Sequence, residues 1–174
     1  MDHITELARH IRLVIFDIDG VLTNGSLFFD NRGEEYKAFN SRDGHGMRML
    51  MECGLEAAII TGRQSQLVEH RMRDLGISRV YQGFRDKRPA YEALQQETGY
   101  RREQIAYLGD DVIDLPVMKQ VGMAMAVADA HPFVIQHADY VTQRPGGQGA
   151  AREAIEFLLE AQGLLQDKLK SYLT

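Results

Sequence analysis

Short apolar runs alternate with amphipathic stretches along this chain. Residues 13–16, Leu-Val-Ile-Phe, form an uninterrupted apolar run with two β-branched members, which is typical of a strand buried on both faces of a sheet. Similar runs recur at 56–61, 105–108 and 123–127, and the segments between them carry apolar residues at helical spacing. Strands that alternate with helices predict an α/β domain with a mainly parallel sheet and helices on both faces.

Glycine, proline and capping residues set the predicted helix boundaries. Gly54 and Gly76 each end a helical pattern, Pro89 suits a first turn, and Asp129 is expected to cap a short helix that begins near Pro132. One domain over 1–174 is predicted, with helix 3–10, strand 12–17, helix 47–53, strand 56–61, helix 65–75, strand 79–82, a helix to 98, strand 105–108, a short helix to 121, strand 123–127, strand 140–142 and helix 150–162.

A β-hairpin is predicted in the insert at about 24–40, which follows the first strand. Its turn is the Asp-Asn-Arg-Gly sequence at 30–33, and its arms at 27–29 and 34–39 are rich in aromatic residues. So much apolar surface on a projecting hairpin requires a partner surface.

Composition excludes several classes of function. The 174 residues are 44% hydrophobic and carry a net charge of −5, which argues against a nucleic-acid scaffold or an anionic membrane surface as partner. The single Cys53 excludes an internal disulfide framework. No apolar segment approaches the ~18 residues of a membrane span, and 1–12 lacks the apolar region of a signal peptide. We therefore expect a cytoplasmic protein.

Polar residues follow several of the predicted strands. Asp17 and Asp19 come at the end of the first strand, two residues apart, so in a regular strand their carboxylates would point the same way. Their repulsion and lost hydration call for a cation or a proton. Thr61, Lys87 and Asp110 also follow strands, and ligands of open α/β sheets bind outside the carboxyl ends of the strands. This set indicates a site for a divalent cation and a phosphate.

Magnesium is the cation that these ligands suit, because Mg²⁺ prefers oxygen atoms in octahedral geometry. We expect Asp17, Asp110 and a backbone carbonyl near Asp19 to coordinate it, with Asp111 in a supporting role.

The same residues can carry out phosphoryl transfer. Asp17 is assigned as the nucleophile, since a carboxylate can accept a phosphoryl group as an aspartyl-phosphate. Asp19 is assigned first as general acid for the leaving alcohol and then as general base for water. Thr61 and Lys87 are expected to hydrogen-bond the phosphoryl oxygens, and Asp114, one helical turn after the metal-binding acid, to orient Lys87.

These motifs, in this order, resemble those of the haloacid dehalogenase superfamily of phosphatases. The resemblance implies a Rossmann-like sheet, Mg²⁺ and a covalent aspartyl-phosphate route. It covers residues 13–127 and is carried by the Asp-Ile-Asp-Gly-Val-Leu-Thr sequence at 17–23, Thr61-Gly62-Arg63, Lys87, and Gly109-Asp110-Asp111 with Asp114.

A closer resemblance, over essentially the whole chain, is to the members that hydrolyse phosphates of ulosonate sugar acids. It is carried by the short hairpin insert, by 36–44, and by the glycine-rich sequence at 146–153. It implies that a loop at 40–44 contacts a sugar-acid phosphate, and arginines suit such a carboxylate because they bind it bidentately. The substrate-binding residues so implied are Asp19, Asn40, Ser41, Arg42, Asp43, Gly44, Arg48, Arg63, Arg71 and Lys87.

Other interpretations remain open at this point. A phosphate-receiver domain also combines acids, Thr and Lys, but its phosphorylated Asp follows a middle strand rather than the first. A catalytically silent oligomerisation module of the same fold would keep the hairpin. A dehalogenase needs no divalent cation, so the acidic cluster after the fourth long strand argues against it. Within the phosphatases, the sugar is an octulosonate or a related nonulosonate, and a fused domain of sialic-acid-activating enzymes shares the architecture.

The absence of a cap has a consequence for assembly. The segments between Asp17, Thr61 and Lys87 are filled by predicted elements and leave no room for one. An aspartyl-phosphate site benefits from the exclusion of water, so a neighbouring chain is expected to cover it. We predict a closed homo-oligomer, a tetramer by resemblance, in which hairpins pack together. The tail at 164–174 is either a lid over a neighbouring site or a frayed terminus.

Overall fold

Six parallel strands form the main sheet of the protein, whose computed structural model describes residues 3–174. Their spatial order is β5-β4-β1-β6-β7-β8, and β2 pairs with β3 in a separate antiparallel hairpin. The direction of winding reverses between β1 and β6, where ligands of such sheets bind. The α/β class with a Rossmann-like sheet is therefore confirmed. In chain order the strands are β1 (Leu13–Phe16), β2 (Phe28–Phe29), β3 (Glu35–Tyr36), β4 (Glu56–Ile60), β5 (Arg79–Tyr81), β6 (Ile105–Gly109), β7 (Met123–Ala126) and β8 (Tyr140–Val141).

Helices connect the strands and cover the sheet. Helix α7 packs against α1, α2 and α8, while α4 packs against α5. All four residues of β1 are fully buried, as a strand between two helical layers requires. The helices are α1 (His3–His10), α2 (Ser41–Glu52), α3 (Gln66–Leu75), α4 (Arg88–Thr98), α5 (Leu115–Met118), α6 (Pro132–Ile135), α7 (Ala150–Ala161) and α8 (Leu165–Lys170), with 3₁₀ turns at Arg102–Gln104, Val112–Asp114 and Ser171–Leu173.

Helix α2 begins six residues before the predicted start, so the expected substrate loop at 40–44 is instead its cap and first turn. The Asn40 side chain accepts a hydrogen bond from the backbone N–H of Arg42 at 2.8 Å. Gly44 and Gly46 weaken the helical pattern in the sequence, and both lie where α2 approaches a neighbouring helix closely. A Cβ atom at Gly44 would lie 2.2 Å from Nη2 of Arg71, and one at Gly46 would lie 2.8 Å from Cδ of Arg152.

The side chain of Asp43 caps helix α7, and its predicted role as a substrate contact stays a prediction. Its buried carboxylate accepts hydrogen bonds from the backbone N–H groups of Arg152 at 2.9 Å and Gly149 at 3.3 Å. Burial raises the pKa of Asp43, and these two donors oppose that rise. A carboxylate bound to the positive end of a helix stabilises it, and here it ties α2 to α7.

The short helix α6 is capped by a different residue from the one predicted. The ring Nδ1 of His131 accepts a hydrogen bond from the backbone N–H of Phe133 at 3.1 Å. Asp129 instead accepts a hydrogen bond from the backbone N–H of Gly146 at 2.8 Å, which anchors the glycine-rich loop. Asp129 lies too far before Pro132 to reach the first turn, whereas His131 directly precedes it.

The hairpin and the tail differ in how they are covered. The hairpin is confirmed, and the aromatic rings of Phe28, Phe29 and Tyr36 on it are each more than half exposed. The tail is helical and lies on its own chain, since Leu165 is buried and Lys168 forms an ion pair with Glu52 of α2. Within 3–174, every helix is too short or too polar to span a bilayer.

Replacement of Asp43 tests its capping role. We expect Asp43→Ala to lower the free energy of unfolding by about 1–3 kcal/mol, because two buried backbone N–H groups lose their acceptor. Asp43→Asn keeps an acceptor oxygen and should cost less. Urea denaturation of the three proteins measures the difference, and an Asp43→Ala variant as stable as the parent would contradict the assignment.

Candidate active site

Two carboxylates meet where β1 and β6 end, at the point where the direction of winding reverses. Asp17 follows β1, Asp110 follows β6, and an oxygen of each lies within 4.8 Å of the other and of Asp114. Gly20 makes room for this arrangement. Its φ is 88°, and a Cβ atom there would lie 1.9 Å from Oδ2 of Asp110.

Lys87 holds this cluster together. Its side chain is fully buried, and its Nζ lies 3.0 Å from Oδ1 of Asp17 and 2.6 Å from Oδ1 of Asp114. Burial opposes the charge of the ammonium, but the two carboxylates outweigh it and raise the pKa of Lys87. Lys87 occupies the N-cap of α4, so Pro89 in the first turn fixes where the side chain starts. The structure thus brings Lys87 and Asp17 together as predicted.

Asp114 orients the site. Its Oδ1 accepts hydrogen bonds from Lys87 at 2.6 Å and from the Tyr107 hydroxyl at 2.6 Å, and its Oδ2 accepts them from the backbone N–H groups of Asp110 at 3.0 Å and Asp111 at 3.1 Å. The hydrogen bond from Lys87 agrees with the predicted orienting role of Asp114, which stays a prediction. Asp111 itself is exposed, and its side chain accepts a hydrogen bond from the N–H of Val112.

Tyr107 belongs to the hydrogen-bond network of this cluster, which the sequence pattern did not reveal. It is fully buried on β6, and a tyrosine in an apolar strand is normally interpreted as a core residue. Its hydroxyl, however, lies 3.0 Å from Nζ of Lys87. Burial and the charge of Asp114 raise its pKa well above the ordinary value, so the hydroxyl stays a donor.

The acids of this cluster are costly to ionise together. Burial, with the charge of Asp114, raises the pKa of Asp17 to about 7 against the opposing effect of Lys87. Burial and the charges of Asp17, Asp114 and Asp111 raise the pKa of Asp110 to about 8. Oδ1 of Asp110 is buried and has no hydrogen-bond partner within 3–174. A hard divalent cation on Asp17 and Asp110 would satisfy that oxygen and offset the repulsion, so these residues fit Mg²⁺.

Asp19 lies outside this cluster, on the side of the hairpin. Strand β1 ends at Phe16, so strand alternation no longer governs the two acids that follow. Oδ1 of Asp19 lies 2.6 Å from Nζ of Lys37, and its Oδ2 lies 3.6 Å from Nε of Arg63. Lys37 was missed as a site residue, because its partner is 18 positions away and no local pattern links them.

The remaining predicted site residues differ in how close they lie to the acidic cluster. Thr61 is buried directly after β4, at the same edge of the sheet as the acids, and its role stays a prediction. Arg48 and Arg71 both form ion pairs with Asp74. Ser41 and Arg42 are exposed at the start of α2, and Arg42 lines a surface cavity of about 610 Å³ formed with the start of α7. Of the predicted substrate arginines, Arg63 contacts an acid of the site.

Comparisons with known proteins agree with this geometry. A family model described as haloacid dehalogenase-like hydrolase matches residues 79–153. The 3-deoxy-D-manno-octulosonate 8-phosphate phosphatase of Salmonella typhi is 50% identical over 165 residues, which cover 95% of this chain and 88% of that protein. The crystal structure of the phosphatase of the same name from Yersinia pestis has a TM-score of 0.93 at 49% identity, and the match covers 95% of this chain and 89% of that one.

A third similar protein is known with ligands. The phosphatase of the same name from Moraxella catarrhalis, crystallised in complex with a magnesium ion, a phosphate ion and a 3-deoxy-D-manno-octulosonate (KDO) molecule, has a TM-score of 0.96 at 37% identity. That match covers 99% of both chains. The chain therefore belongs to the haloacid dehalogenase-like hydrolases, in the family of 3-deoxy-D-manno-octulosonate 8-phosphate phosphatases.

Proposed function

We propose that this protein hydrolyses 3-deoxy-D-manno-octulosonate 8-phosphate to the free sugar acid and inorganic phosphate, a step of lipopolysaccharide biosynthesis. The observation that carries the proposal is the buried cluster of Asp17, Lys87, Asp110 and Asp114, because it combines a nucleophile, a cation site and a fixed ammonium. The family relationship supports the substrate, with a related nonulosonate phosphate as the alternative. We also propose a cytoplasmic location.

In the first half of the reaction, an oxygen of Asp17 attacks phosphorus and the bond from phosphorus to the sugar oxygen breaks. The proton of Asp19 moves to that leaving oxygen, so the sugar departs as an alcohol and Asp19 becomes a carboxylate. Lys87 lies within hydrogen-bond distance of Asp17, so it holds the nucleophile and offers charge to the phosphoryl oxygens.

In the second half, water attacks the phosphorus of the aspartyl-phosphate, and Asp19 accepts a proton from that water. Inorganic phosphate leaves, and Asp17 and Asp19 regain their starting forms. Thr61, buried beside the nucleophile's strand, is proposed to donate a hydrogen bond to the phosphoryl group. Asp17 and Asp110 would hold Mg²⁺, which would supply positive charge that keeps both carboxylates ionised and offsets the negative charge of the phosphoryl group.

The assembly is also a proposal. We propose a homo-oligomer, a tetramer by family likeness, in which the exposed aromatic hairpin packs against neighbouring chains. Phe28 is 51% exposed and Phe29 is 55% exposed, which is unfavourable for rings that project into water. The tail at 164–174 remains a candidate lid over a neighbouring site, and its helical structure gives it a defined shape for that role.

Replacement of the two acids tests the chemistry. Asp17→Asn should abolish phosphate release from 3-deoxy-D-manno-octulosonate 8-phosphate, because an amide cannot accept the phosphoryl group. Asp19→Asn should lower kcat by about 10²–10⁴-fold, since it removes the proton donor and acceptor. Phosphate release is measured with Mg²⁺ and with EDTA, and chelation should silence the parent protein.

The substrate is tested by the same assay on a panel that includes related nonulosonate phosphates. The highest kcat/KM is expected for the octulosonate ester. Near-parental activity of Asp17→Asn would contradict the covalent route, and a preference for a nonulosonate phosphate would contradict the substrate alone.

Light scattering tests the assembly. The 19.7 kDa chain should behave as a multimer, and Phe28→Asp should weaken it by placing a charge in the apolar contact. Phe133→Asp is the control, since Phe133 is 49% exposed and belongs to helix α6 rather than to the hairpin. Deletion of 166–174, which spares the buried Leu165, should slow turnover without dissociating the multimer. A fully active monomer would disprove a shared site, and an unaffected truncation would disprove only the lid.

A further inference from the structure

The ammonium of Lys37 is buried on the hairpin, where a charge needs partners. Its side chain is 2% exposed and follows strand β3. Nζ lies 2.6 Å from Oδ1 of Asp19 and 3.2 Å from Oε1 of Glu35. Because a buried ion is costly unless it is paired, the position of Lys37 is fixed by these two carboxylates.

Glu35 is shared between two cations. Its Oε1 also lies 2.7 Å from Nη2 of Arg63, whose Nε faces the second oxygen of Asp19 at 3.6 Å. Burial opposes ionisation of Glu35, but hydrogen bonds from Arg63, Ser65 and Lys37 outweigh it and lower its pKa. Glu35 therefore stays negative, and each oxygen of Asp19 faces a cation. Within residues 3–174, Lys37 is the only residue whose side chain lies at hydrogen-bond distance from the carboxylate of Asp19.

We propose that Lys37 is a positioning residue that holds the carboxyl group of Asp19 in place for proton transfer, and that Glu35 holds Lys37. This inference rests on the proposed function. Lys37 belongs to the hairpin, so the position of the acid/base group depends on an element outside the main sheet. Lys37 itself transfers no proton and makes no bond to the substrate.

Glu35 explains how one lysine can serve both halves of the reaction. Before the first half, Asp19 carries the proton, and the charge of Lys37 is balanced by Glu35. When that proton has moved to the leaving sugar oxygen, Asp19 is a carboxylate and Lys37 pairs with both acids. When Asp19 takes the proton from water, Lys37 again keeps Glu35 as its partner. Lys37 thus has a negatively charged partner whether Asp19 is protonated or ionised.

Removal of the Lys37 side chain should let the carboxyl group of Asp19 move, while the contacts of Asp17 stay unchanged. A general acid acts only within hydrogen-bond reach of the proton acceptor, and a misplacement of about 1 Å can cost roughly 10²-fold in rate. The loss should depend on the leaving group. A sugar alkoxide must be protonated as it leaves, whereas p-nitrophenolate is a stable anion that leaves without a proton.

The experiment compares 3-deoxy-D-manno-octulosonate 8-phosphate with p-nitrophenyl phosphate in the Mg²⁺-loaded protein. Lys37→Met should lower kcat for the sugar ester about 100-fold. With p-nitrophenyl phosphate, the first equivalent of p-nitrophenolate should appear at the parental rate, and later turnover should slow, because water attack still needs Asp19. Arg79→Met is the matched control, since Arg79 bridges Glu56 and Glu97 at the amino end of the sheet, and it should change neither rate.

A double-mutant cycle separates positioning from a general structural effect. If Lys37 acts through Asp19, Lys37→Met should cost little more in the Asp19→Asn background, and Lys37→Arg should restore most of the sugar-ester rate. Three results would each overturn the proposal. Lys37→Met could lower the rate of the p-nitrophenolate burst as much as the rate on the sugar ester, or leave the rate on the sugar ester unchanged. Alternatively, the rate losses of Lys37→Met and Asp19→Asn could be additive in the double variant. If Lys37→Met does not fold, Glu35→Gln replaces it in the experiment, because it leaves Lys37 in place. Glu35→Gln should also slow the sugar ester more than the p-nitrophenolate burst, with a smaller loss of rate than expected for Lys37→Met.

Failure of the proposed function gives a different result. In that case Asp17→Asn would keep the p-nitrophenolate burst, or the parent protein would not hydrolyse the sugar ester. The role of Lys37 alone would be rejected by a different set of results. In that set the parent protein is active, Asp17→Asn is inactive, and Lys37→Met slows the sugar ester and the p-nitrophenolate burst equally.

Discussion

The buried negative charge at the ends of β1 and β6 is the constraint on which the site depends. Asp17, Asp110 and Asp114 crowd together, and Lys87 supplies the one ammonium that contacts this cluster in the described chain. Four donors saturate the carboxylate of Asp114, but Oδ1 of Asp110 receives no hydrogen bond from residues 3–174. The cluster is therefore incomplete without a divalent cation. Gly20 is required for the same reason, since any larger residue would displace Asp110.

Catalysis adds a second and more exposed network to this one. Asp19 faces Lys37 and Arg63 rather than Lys87, so the proposed nucleophile and the proposed acid/base group are held by different cations from different elements. This separation suits their tasks, because Asp17 must stay ionised while Asp19 must gain and lose a proton. It also links the hairpin, whose aromatic surface is proposed to form the oligomer, to the chemistry that the main sheet supports.

The sheet and its buried acids could be predicted from the sequence because uninterrupted apolar runs end directly in polar residues. The start of α2 could not, since Gly44 and Gly46 interrupt the helical pattern for the sake of close packing with other helices. Asp43 sits in a motif that resembles a substrate loop, yet it caps a helix more than a hundred residues later. Tyr107 and Lys37 escaped notice because their partners are distant in sequence.

The number of protons released when Mg²⁺ binds tests the account most directly. Metal ligands must be deprotonated, and the pKa values of Asp17 and Asp110 are raised to about 7 and about 8, so the two groups together hold about one proton near pH 7 in the metal-free protein. Titration calorimetry in buffers of different ionisation enthalpy should show release of about one proton at pH 7 and almost none at pH 9.5, with apparent affinity that rises with pH between them. Asp110→Asn should abolish the effect. Tight Mg²⁺ binding at pH 7 without proton release would contradict the crowded-carboxylate site.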